Sequence, residues 1–434
     1  MFPKHDERES AGPRVPPVSP SAAELLKGGR PSVDRNPHAS ATGNVPFSLG
    51  NRPALTGIRA IGVSLVLIFH SNFSTLPGSW VALALFFVLS GFLITAMLAD
   101  EHQKTGRISL GRFYSRRAVR LLPPLILTVA LLGIYAALVH VSDAAHRVWG
   151  DSAAALFYFS DYRQAFEHNP LYSGFLTQTW SLAIEEQYYL IWAALLLLAL
   201  KASRRRIAYV LASAGIVACT VNRIHIVLGA HPYTIHTADR VYYAFDTRAD
   251  ALFLGCLLGL LATGGHLQNW RPWAARTLAV SAVVSTAVMA WIVLSISLGD
   301  RSLPLVWLPV SQIASAVIIT YFIVLPRGLG TRAMGLPLLV VVGNMSYTIY
   351  LIHWPIFVAL SPSTTGMSYW VLDPLRMAIV IPLAAASWYL MEKPLTRWRR
   401  RRLDPSRPTQ PPASSPAHRP VATDDSSATL LSNG

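Results

Sequence analysis

Charged residues are scarce in this chain of 434 residues, because Asp, Glu, Lys and Arg together make up only 14% of it. A soluble domain typically carries about 25% charged residues, so this scarcity argues against a soluble globular protein. Hydrophobic residues account for 52% of the sequence, and the mean hydropathy is +0.39. The composition therefore predicts a polytopic membrane protein.

Cysteine is almost absent, and the signatures of several enzyme classes are missing. Cys219 and Cys256 both lie in apolar stretches, where we expect small buried side chains and no disulfide framework. The chain has no GxGxxG, Walker or GxSxG motif. Its histidines are scattered and form no Cys/His ligand pattern, so we predict no metal site.

Long apolar runs of the length that spans a bilayer, roughly 17 to 25 residues, recur through the middle of the chain. They predict an all-α fold with ten transmembrane helices. The predicted spans are 55–73, 79–99, 119–140, 175–200, 207–229, 246–264, 276–297, 304–326, 337–360 and 370–391. Polar, Pro- and Ser-rich composition predicts a disordered leader over 1–50 and a basic, then disordered, tail over 397–434, with the membrane domain over 51–396.

The formal net charge of +15 comes from short basic segments between apolar runs, not from one continuous basic face. This placement excludes nucleic acid as a partner and follows the positive-inside rule. The basic segments follow alternate spans, including "KASRRR" after span four and "RWRRRR" after span ten. With an even number of spans, both termini are predicted to be cytoplasmic.

Two ionisable residues share the first predicted span. Arg59 and His70 are eleven residues apart, and eleven steps of about 100° return to nearly the same helix face, roughly 16 Å along the axis. Ionisable groups at membrane depth are expensive unless they face a cavity or a partner. The plainer alternative makes Arg59 an interface anchor and His70 a helix-packing residue.

Three further segments carry polar groups at the edges of spans. "GRFYSRRAVRLLPP" places Arg117 and Arg120 on one helix face, where they suit lipid head groups or the phosphates of a nucleotide-bearing donor. "TQTWSLAIEEQYYLIW" aligns Glu185 with Tyr188, Tyr189 and Trp192, either as a site or as an interface belt. "FDTRADALFLG" holds Asp246, Arg248 and Asp250, as substrate ligands or as a structural ion pair.

Seven segments, taken in order, resemble the acyltransferase-3 family of multi-pass membrane O-acyltransferases. They are Arg59-x10-His70, "FFVLSGFLIT" at 86–95, "FYSRRAVRLLPP", "QTWSLAIEEQYYL", "DTRADALFLG", "MSYTIYLIHWPIF" and "MEKPL". The resemblance covers about residues 51 to 396. It implies about ten spans in the plasma (inner) membrane and transfer of an acyl group, commonly acetyl, from cytoplasmic acyl-CoA to a hydroxyl.

The resemblance also implies roles for individual residues. His70 would be the general base or a transient acyl carrier, and Glu185 would orient or activate groups in the same cavity. Arg59 would act beside them, and the cluster of Arg116, Arg117 and Arg120 would hold the acyl-CoA co-substrate, with no tightly bound cofactor. The expected contacts to a carbohydrate, lipid-linked sugar or glycosylated acceptor are Trp180, Tyr189, Asp246, Arg248, Tyr350 and His353.

The chain departs from the family pattern in two places. Where family members often have Gly-Val-Asp before the "FF" of span two, this chain has Ala82, Leu83 and Ala84. Larger members append a hydrolase-like extracellular domain, so we expect transfer here to be completed by the membrane core or a partner. Two alternatives remain open: a macrolide-type tailoring acyltransferase, and a transporter or flippase of a polar solute.

Overall fold

Nine long apolar helices dominate the computed structural model, which describes residues 47–71, 76–139, 142–167 and 174–403. Numbered with the shorter helices in chain order, the long ones are α1 (Pro53–His70), α2 (Val81–Thr105), α3 (Leu110–Val139), α6 (Trp180–Lys201), α7 (Arg205–Gly229), α11 (Pro272–Ser295), α12 (Leu308–Val324), α14 (Pro337–Ala359) and α16 (Tyr369–Ser387). Each belongs to a segment that is long and apolar enough to cross a membrane. The protein is an all-α polytopic membrane protein.

Eight shorter helices connect or flank these spans. They are α4 (Ser142–Leu156), α5 (Ser160–Phe166), α8 (Ile235–Tyr243), α9 (Phe245–Arg248), α10 (Asp250–Thr263), α13 (Leu329–Met334), α15 (Pro362–Thr365) and α17 (Lys393–Leu403). A 3₁₀ turn at Thr177–Thr179 precedes α6, and π-helical turns at Leu303–Trp307 and Trp388–Glu392 precede α12 and α17. The described residues contain no strand.

The observed helices follow nine of the ten predicted spans closely. The sixth predicted span, 246–264, is the 14-residue apolar helix α10, which is shorter than the other spans. The basic start of the predicted tail is the end of helix α17. The predicted disorder of residues 1–46 and 404–434 lies outside the described residues.

Helix α3 begins nine residues before the predicted third span. The sequence suggests an amphipathic basic segment closed by two prolines, whereas one helix runs from Leu110 through Pro123 and Pro124. A proline inside a helix is tolerated in a membrane bundle when neighbours bind the nearby carbonyls. Pro123 and Pro124 leave the carbonyls of Val119 and Arg120 without their helical donors, and Tyr347 of α14 braces the same stretch by donating to the adjacent Leu121 carbonyl at 2.8 Å. The basic segment and the apolar span are therefore one rigid element.

The centre of the bundle is α2, which packs closely against α10 and α1. Gly91 of α2 faces the backbone of Leu252, and Gly255 of α10 faces the backbone of Val88, so a β-carbon at either glycine would collide with main-chain atoms. Small residues permit this close approach of helices in membranes. Gly91 and Gly255 therefore serve the close packing of α2 on α10.

Hydrogen bonds between helix termini define one end of the bundle, which we call the basic end. Arg52 donates to the Ile323 carbonyl at 3.3 Å, joining the start of α1 to the end of α12. Gln103 donates to the Thr263 carbonyl at 2.7 Å, joining the ends of α2 and α10. At the opposite end, the Trp80 indole donates to the Ile296 carbonyl at 2.9 Å. The basic segments before α3 and α7 lie at the basic end.

Candidate active site

A cavity of about 420 Å³ lies between α1, α2, α3, α6 and α14, toward the basic end of the bundle. Apolar residues of α2 form much of its wall. Its charged lining residues are Arg59, Arg116, Arg117, Arg120, Glu185, Glu186 and Arg399. Five arginines against two glutamates leave the cavity with an excess of positive charge, which favours an anionic ligand.

Arg117 is held by two neighbouring groups of the cavity wall. It forms an ion pair with Glu186, and its guanidinium carbon lies 3.7 Å from the centre of the Tyr189 ring. Stacking on an aromatic face and pairing with a carboxylate suit the planar guanidinium. Arg116 is likewise paired, with Glu101 at 3.3 Å. Both side chains are fixed before any ligand binds.

Glu185 faces the cavity with both carboxylate oxygens occupied. The Ser90 hydroxyl donates to one oxygen at 3.0 Å, and the Tyr189 hydroxyl donates to the other at 3.2 Å. Two hydroxyl donors satisfy a carboxylate without an ion pair. The predicted stripe on α6 is therefore divided: Glu185 and Tyr189 line the cavity, whereas Tyr188 and Trp192 are buried in the core.

Arg59 and Arg120 also line the cavity, and neither has a hydrogen-bond or ion-pair partner among the described residues. Arg59 lies on α1 and Arg120 on α3. A partly buried cation without a partner carries a desolvation cost that a bound anion would relieve. These two guanidinium groups are the strongest indication of an anion-binding function.

His70 lines a second, smaller chamber of about 50 Å³ toward the opposite end of the bundle. Phe69, Trp80, Trp180, Tyr242 and Tyr243 supply its aromatic wall. Leu83 and Tyr350 line both this chamber and the larger cavity. Arg59 and His70, predicted to share one face of α1, therefore line two different spaces: Arg59 the larger cavity and His70 the smaller chamber.

The imidazole of His70 is packed among aromatic rings and a second histidine. Its Nδ1 lies 2.9 Å from the Val66 carbonyl oxygen and 3.3 Å from Nε2 of His353. The Trp354 ring meets the imidazole edge-on at 4.8 Å between centroids. His353 is fully buried and lines neither space.

Two other predicted substrate contacts lie outside both spaces. Asp246 pairs with Arg240 at 2.6 Å and is half-exposed. Arg248 is 1% exposed, with its guanidinium carbon 4.8 Å from the centre of the Tyr242 ring and 5.8 Å from that of Phe87. The two aspartates of this segment both form ion pairs, but with partners outside it: Asp246 with Arg240, and Asp250 with Arg223 at 2.6 Å.

Sequence reasoning missed features that depend on distant contacts. Glu186 is the partner of Arg117, and Arg399 of α17 returns to the cavity mouth. The connection between α3 and α6 contains two helices, α4 and α5. Within it Asp161 is fully buried and accepts a hydrogen bond from Gln187 at 2.9 Å. Burial raises the pKa of Asp161 to about 6, although the Gln187 hydrogen bond opposes that shift.

Comparison with known families matches residues 52–393 to the acyltransferase domain of the acyltransferase-3 family. The chain is similar to the peptidoglycan O-acetyltransferase OatA of Listeria monocytogenes, with 30% identity over 358 residues, which is 80% of this chain and 56% of that protein. It is also similar to the putative peptidoglycan O-acetyltransferase YrhL of Bacillus subtilis, with 29% identity over 357 residues, 79% of this chain and 54% of that protein.

A putative O-acetyltransferase of Staphylococcus aureus (strain COL) is 32% identical over 313 residues, covering 70% of this chain and 50% of that protein. The chain therefore spans about half the length of the curated relatives it matches. No solved structure matches the chain.

Proposed function

Because this chain belongs to the acyltransferase-3 family and carries its acyltransferase domain, we propose that it transfers an acetyl group from cytoplasmic acyl-CoA to a carbohydrate hydroxyl. We place it in the plasma (inner) membrane. The observation that carries the proposal is the cavity at the basic end with its unpaired Arg59 and Arg120, next to a chamber lined by His70.

The cavity at the basic end is the proposed donor site. The basic end faces the cytoplasm if the positive-inside rule holds for this chain, and acyl-CoA is an anion available there. Arg59 and Arg120 are free to bind its phosphates, while Arg116 and Arg117 extend the positive surface. The volume of about 420 Å³ is within the usual range of small-molecule sites, about 300 to 1,000 Å³.

His70 is the proposed general base in the smaller chamber. Its Nε2 takes the proton of the acceptor hydroxyl, and the hydroxyl oxygen attacks the thioester carbonyl carbon. A C–O ester bond forms, the C–S bond breaks, and the departing thiolate takes the proton back from the imidazolium. Glu185, held by Ser90 and Tyr189, lines the same cavity as the free arginines.

A carbohydrate acceptor is proposed from the chamber's lining and from the relatives. Trp180 and Tyr242 present apolar ring faces beside His70, and Gln178 adds a polar group. Aromatic faces with a few polar groups suit a sugar ring. Two of the relatives described above are named as peptidoglycan O-acetyltransferases, and peptidoglycan is a polymer of sugars. An envelope glycan is therefore the favoured acceptor class.

Transfer from radiolabelled acetyl-CoA to chito-oligosaccharides, by the purified chain in lipid nanodiscs, tests this proposal. We expect labelled saccharide from the wild type and a loss of about 10²- to 10⁴-fold in His70→Ala, the usual contribution of a general base. His225→Ala is the matched control, because His225 is exposed on α7 and lines neither space. Label retained on the protein itself, and lost in His70→Ala, would instead indicate an acyl carrier.

Two other outcomes would redirect the proposal. Transfer to a glycosylated macrolide but to no oligosaccharide would change the acceptor class to antibiotic tailoring. No transfer from acetyl-CoA or longer acyl-CoAs to any acceptor, together with uptake of a labelled sugar into proteoliposomes without a donor, would establish a transporter and overturn the enzyme.

A further inference from the structure

The hydrogen positions on His353 follow from a single short contact. Its Nδ1 lies 2.6 Å from the carbonyl oxygen of Tyr350, and a carbonyl oxygen only accepts hydrogen bonds. Nδ1 of His353 therefore carries a hydrogen. In a neutral imidazole the other nitrogen then has a lone pair, and in His353 that nitrogen is Nε2, which faces His70 at 3.3 Å.

The same reasoning fixes the hydrogen on His70. Its Nδ1 lies 2.9 Å from the Val66 carbonyl oxygen, so Nδ1 is the protonated nitrogen. That hydrogen has two acceptors, the Val66 oxygen and the lone pair of His353. If both nitrogens of His353 carried hydrogens, its Nε2–H would point at the Nδ1–H of His70, and neither could accept. The arrangement therefore requires neutral His353. Nε2 of His70 is left as a lone pair, without a hydrogen-bond partner among the described residues.

We propose that His353 is a positioning residue that, together with the Val66 carbonyl, holds His70 in the Nδ1–H tautomer with its basic Nε2 available to the acceptor hydroxyl. This inference rests on the proposed function for its consequence in catalysis. When Nε2 takes a proton, the Nδ1–H becomes a stronger donor and its bond to the lone pair of His353 strengthens. His353 thus does for His70 what a carboxylate does for the histidine of a serine protease, without placing a negative charge in an apolar environment.

The surroundings of His353 suit a neutral partner. Its ring centroid is 5.6 Å from that of Tyr350 and 5.7 Å from that of Phe357. His70 and Tyr350 are the titratable groups in contact with it. It is 0% exposed, so it cannot contact a substrate in this conformation and acts through His70.

Two substitutions separate positioning from packing. Gln at position 353 places an acceptor oxygen near the position of the imidazole Nε2, whereas Leu fills much of the space and accepts nothing. We expect His353→Leu to lower kcat about tenfold to a hundredfold, the range seen when the partner orienting a metal-bound histidine is removed. KM for acetyl-CoA should stay within about twofold of wild type, and His353→Gln should recover most of kcat.

Nitrogen-15 NMR of histidine-labelled protein in lipid gives a readout that needs no acetyl transfer. The His70 signal is found as the difference from His70→Ala, and we expect neutral His70 with its hydrogen on Nδ1. A hydrogen on Nε2 in the wild type would overturn the inference, as would equal kcat in wild type and His353→Leu. Equal losses in the Leu and Gln variants would assign His353 to packing. If the proposed function fails, the wild type transfers nothing, and the His70 signal of His353→Leu decides the inference. A signal unchanged from the wild type would overturn it, because the Val66 carbonyl alone would then hold the Nδ1 hydrogen.

Discussion

Leu83 of α2 and Tyr350 of α14 both line the two internal spaces, the arginine-lined cavity and the chamber that holds His70. The Tyr350 hydroxyl donates to the Gln178 carbonyl at 2.7 Å and lies 2.6 Å from the Ser181 hydroxyl. Hydrogen bonds thereby fix Tyr350, whereas Leu83 is held by apolar contacts alone. Under the proposed function, an acyl group from a donor at the arginines reaches His70 by passing between these two side chains.

Enlarging Leu83 should block this passage. We expect Leu83→Trp to lower the acetyl-transfer kcat at least about tenfold, because a bulky ring between the two spaces prevents the reacting geometry on which rate depends steeply. Leu190→Trp is the control, since Leu190 is 63% exposed on the outer surface of α6. The melting temperature of both variants in nanodiscs must match the wild type. Unchanged kcat in folded Leu83→Trp would show that the acyl group takes another route.

The unpaired arginines should act on donor binding. Arg59→Gln and Arg120→Gln are each expected to raise KM for acetyl-CoA about tenfold to a hundredfold, because a hydrogen bond to a charged group contributes about 1.5–3 kcal/mol. Higher ionic strength should raise the wild-type KM in the same direction. Arg204→Gln, at an exposed position before α7, is the control.

Steady-state kinetics at varied acetyl-CoA separate this role from others. A fall in kcat with KM unchanged would contradict donor binding and would instead place the guanidinium at the reacting atoms.

The helices and the family could be predicted from the sequence because both depend on local signals. Apolar runs of bilayer length located nine long helices, and seven short motifs indicated a family that the match over residues 52–393 confirms. Helical periodicity placed Arg117 and Arg120 on one face, and both line the cavity. It could not divide the α6 stripe. The positions i, i+3, i+4 and i+7 all fall on one side of the helix, and tertiary packing decides which of them meet the cavity.

The partners of the predicted residues could not be read from the sequence. His70 and His353 are 283 positions apart, and only the packing of α1 on α14 brings them together. The same holds for Arg117 and Glu186, since a run of two glutamates does not show which one forms the ion pair. The sequence also could not show that Leu83 and Tyr350 lie where the two spaces meet. Helical periodicity places Arg59 and His70 on one face of α1 and does not reveal that this face borders two spaces.

The ion pair of Arg117 with Glu186 should show strong thermodynamic coupling. Glu186→Gln removes the carboxylate that pairs with Arg117, a side chain that is only about one-fifth exposed. Because a largely buried charge then lacks its partner, we expect the free energy of unfolding to fall by about 1–3 kcal/mol. The double variant Arg117→Gln/Glu186→Gln should recover part of that loss, because no unpaired charge remains. Unfolding in mixed micelles, analysed as a double-mutant cycle, measures the coupling. Strictly additive single and double variants would show that the pair is not coupled.

Asp161 should make stability depend on pH in a specific direction. Burial raises its pKa to about 6 from the ordinary 3.8, so the protonated form is favoured in the folded protein. The stability that this preference contributes is complete below the ordinary pKa and is lost as the pH rises through about 6. Asp161→Asn cannot ionise and keeps an oxygen to accept from Gln187. We therefore expect the variant to melt at a higher temperature than the wild type at pH 8 and to converge with it near pH 4.

Asp300 provides a control of opposite sign. The hydroxyl and backbone N–H of Ser302 donate to its carboxylate at 2.6 and 2.8 Å, and these bonds lower its pKa. Its charged form therefore contributes stability above the ordinary pKa, so Asp300→Asn should lower the melting temperature at pH 8 and have less effect at acidic pH. Melting curves for both variants from pH 4 to 8 would contradict this account if Asp161→Asn were destabilised at pH 8, because the burial of its charge would then cost less than its hydrogen bonds contribute.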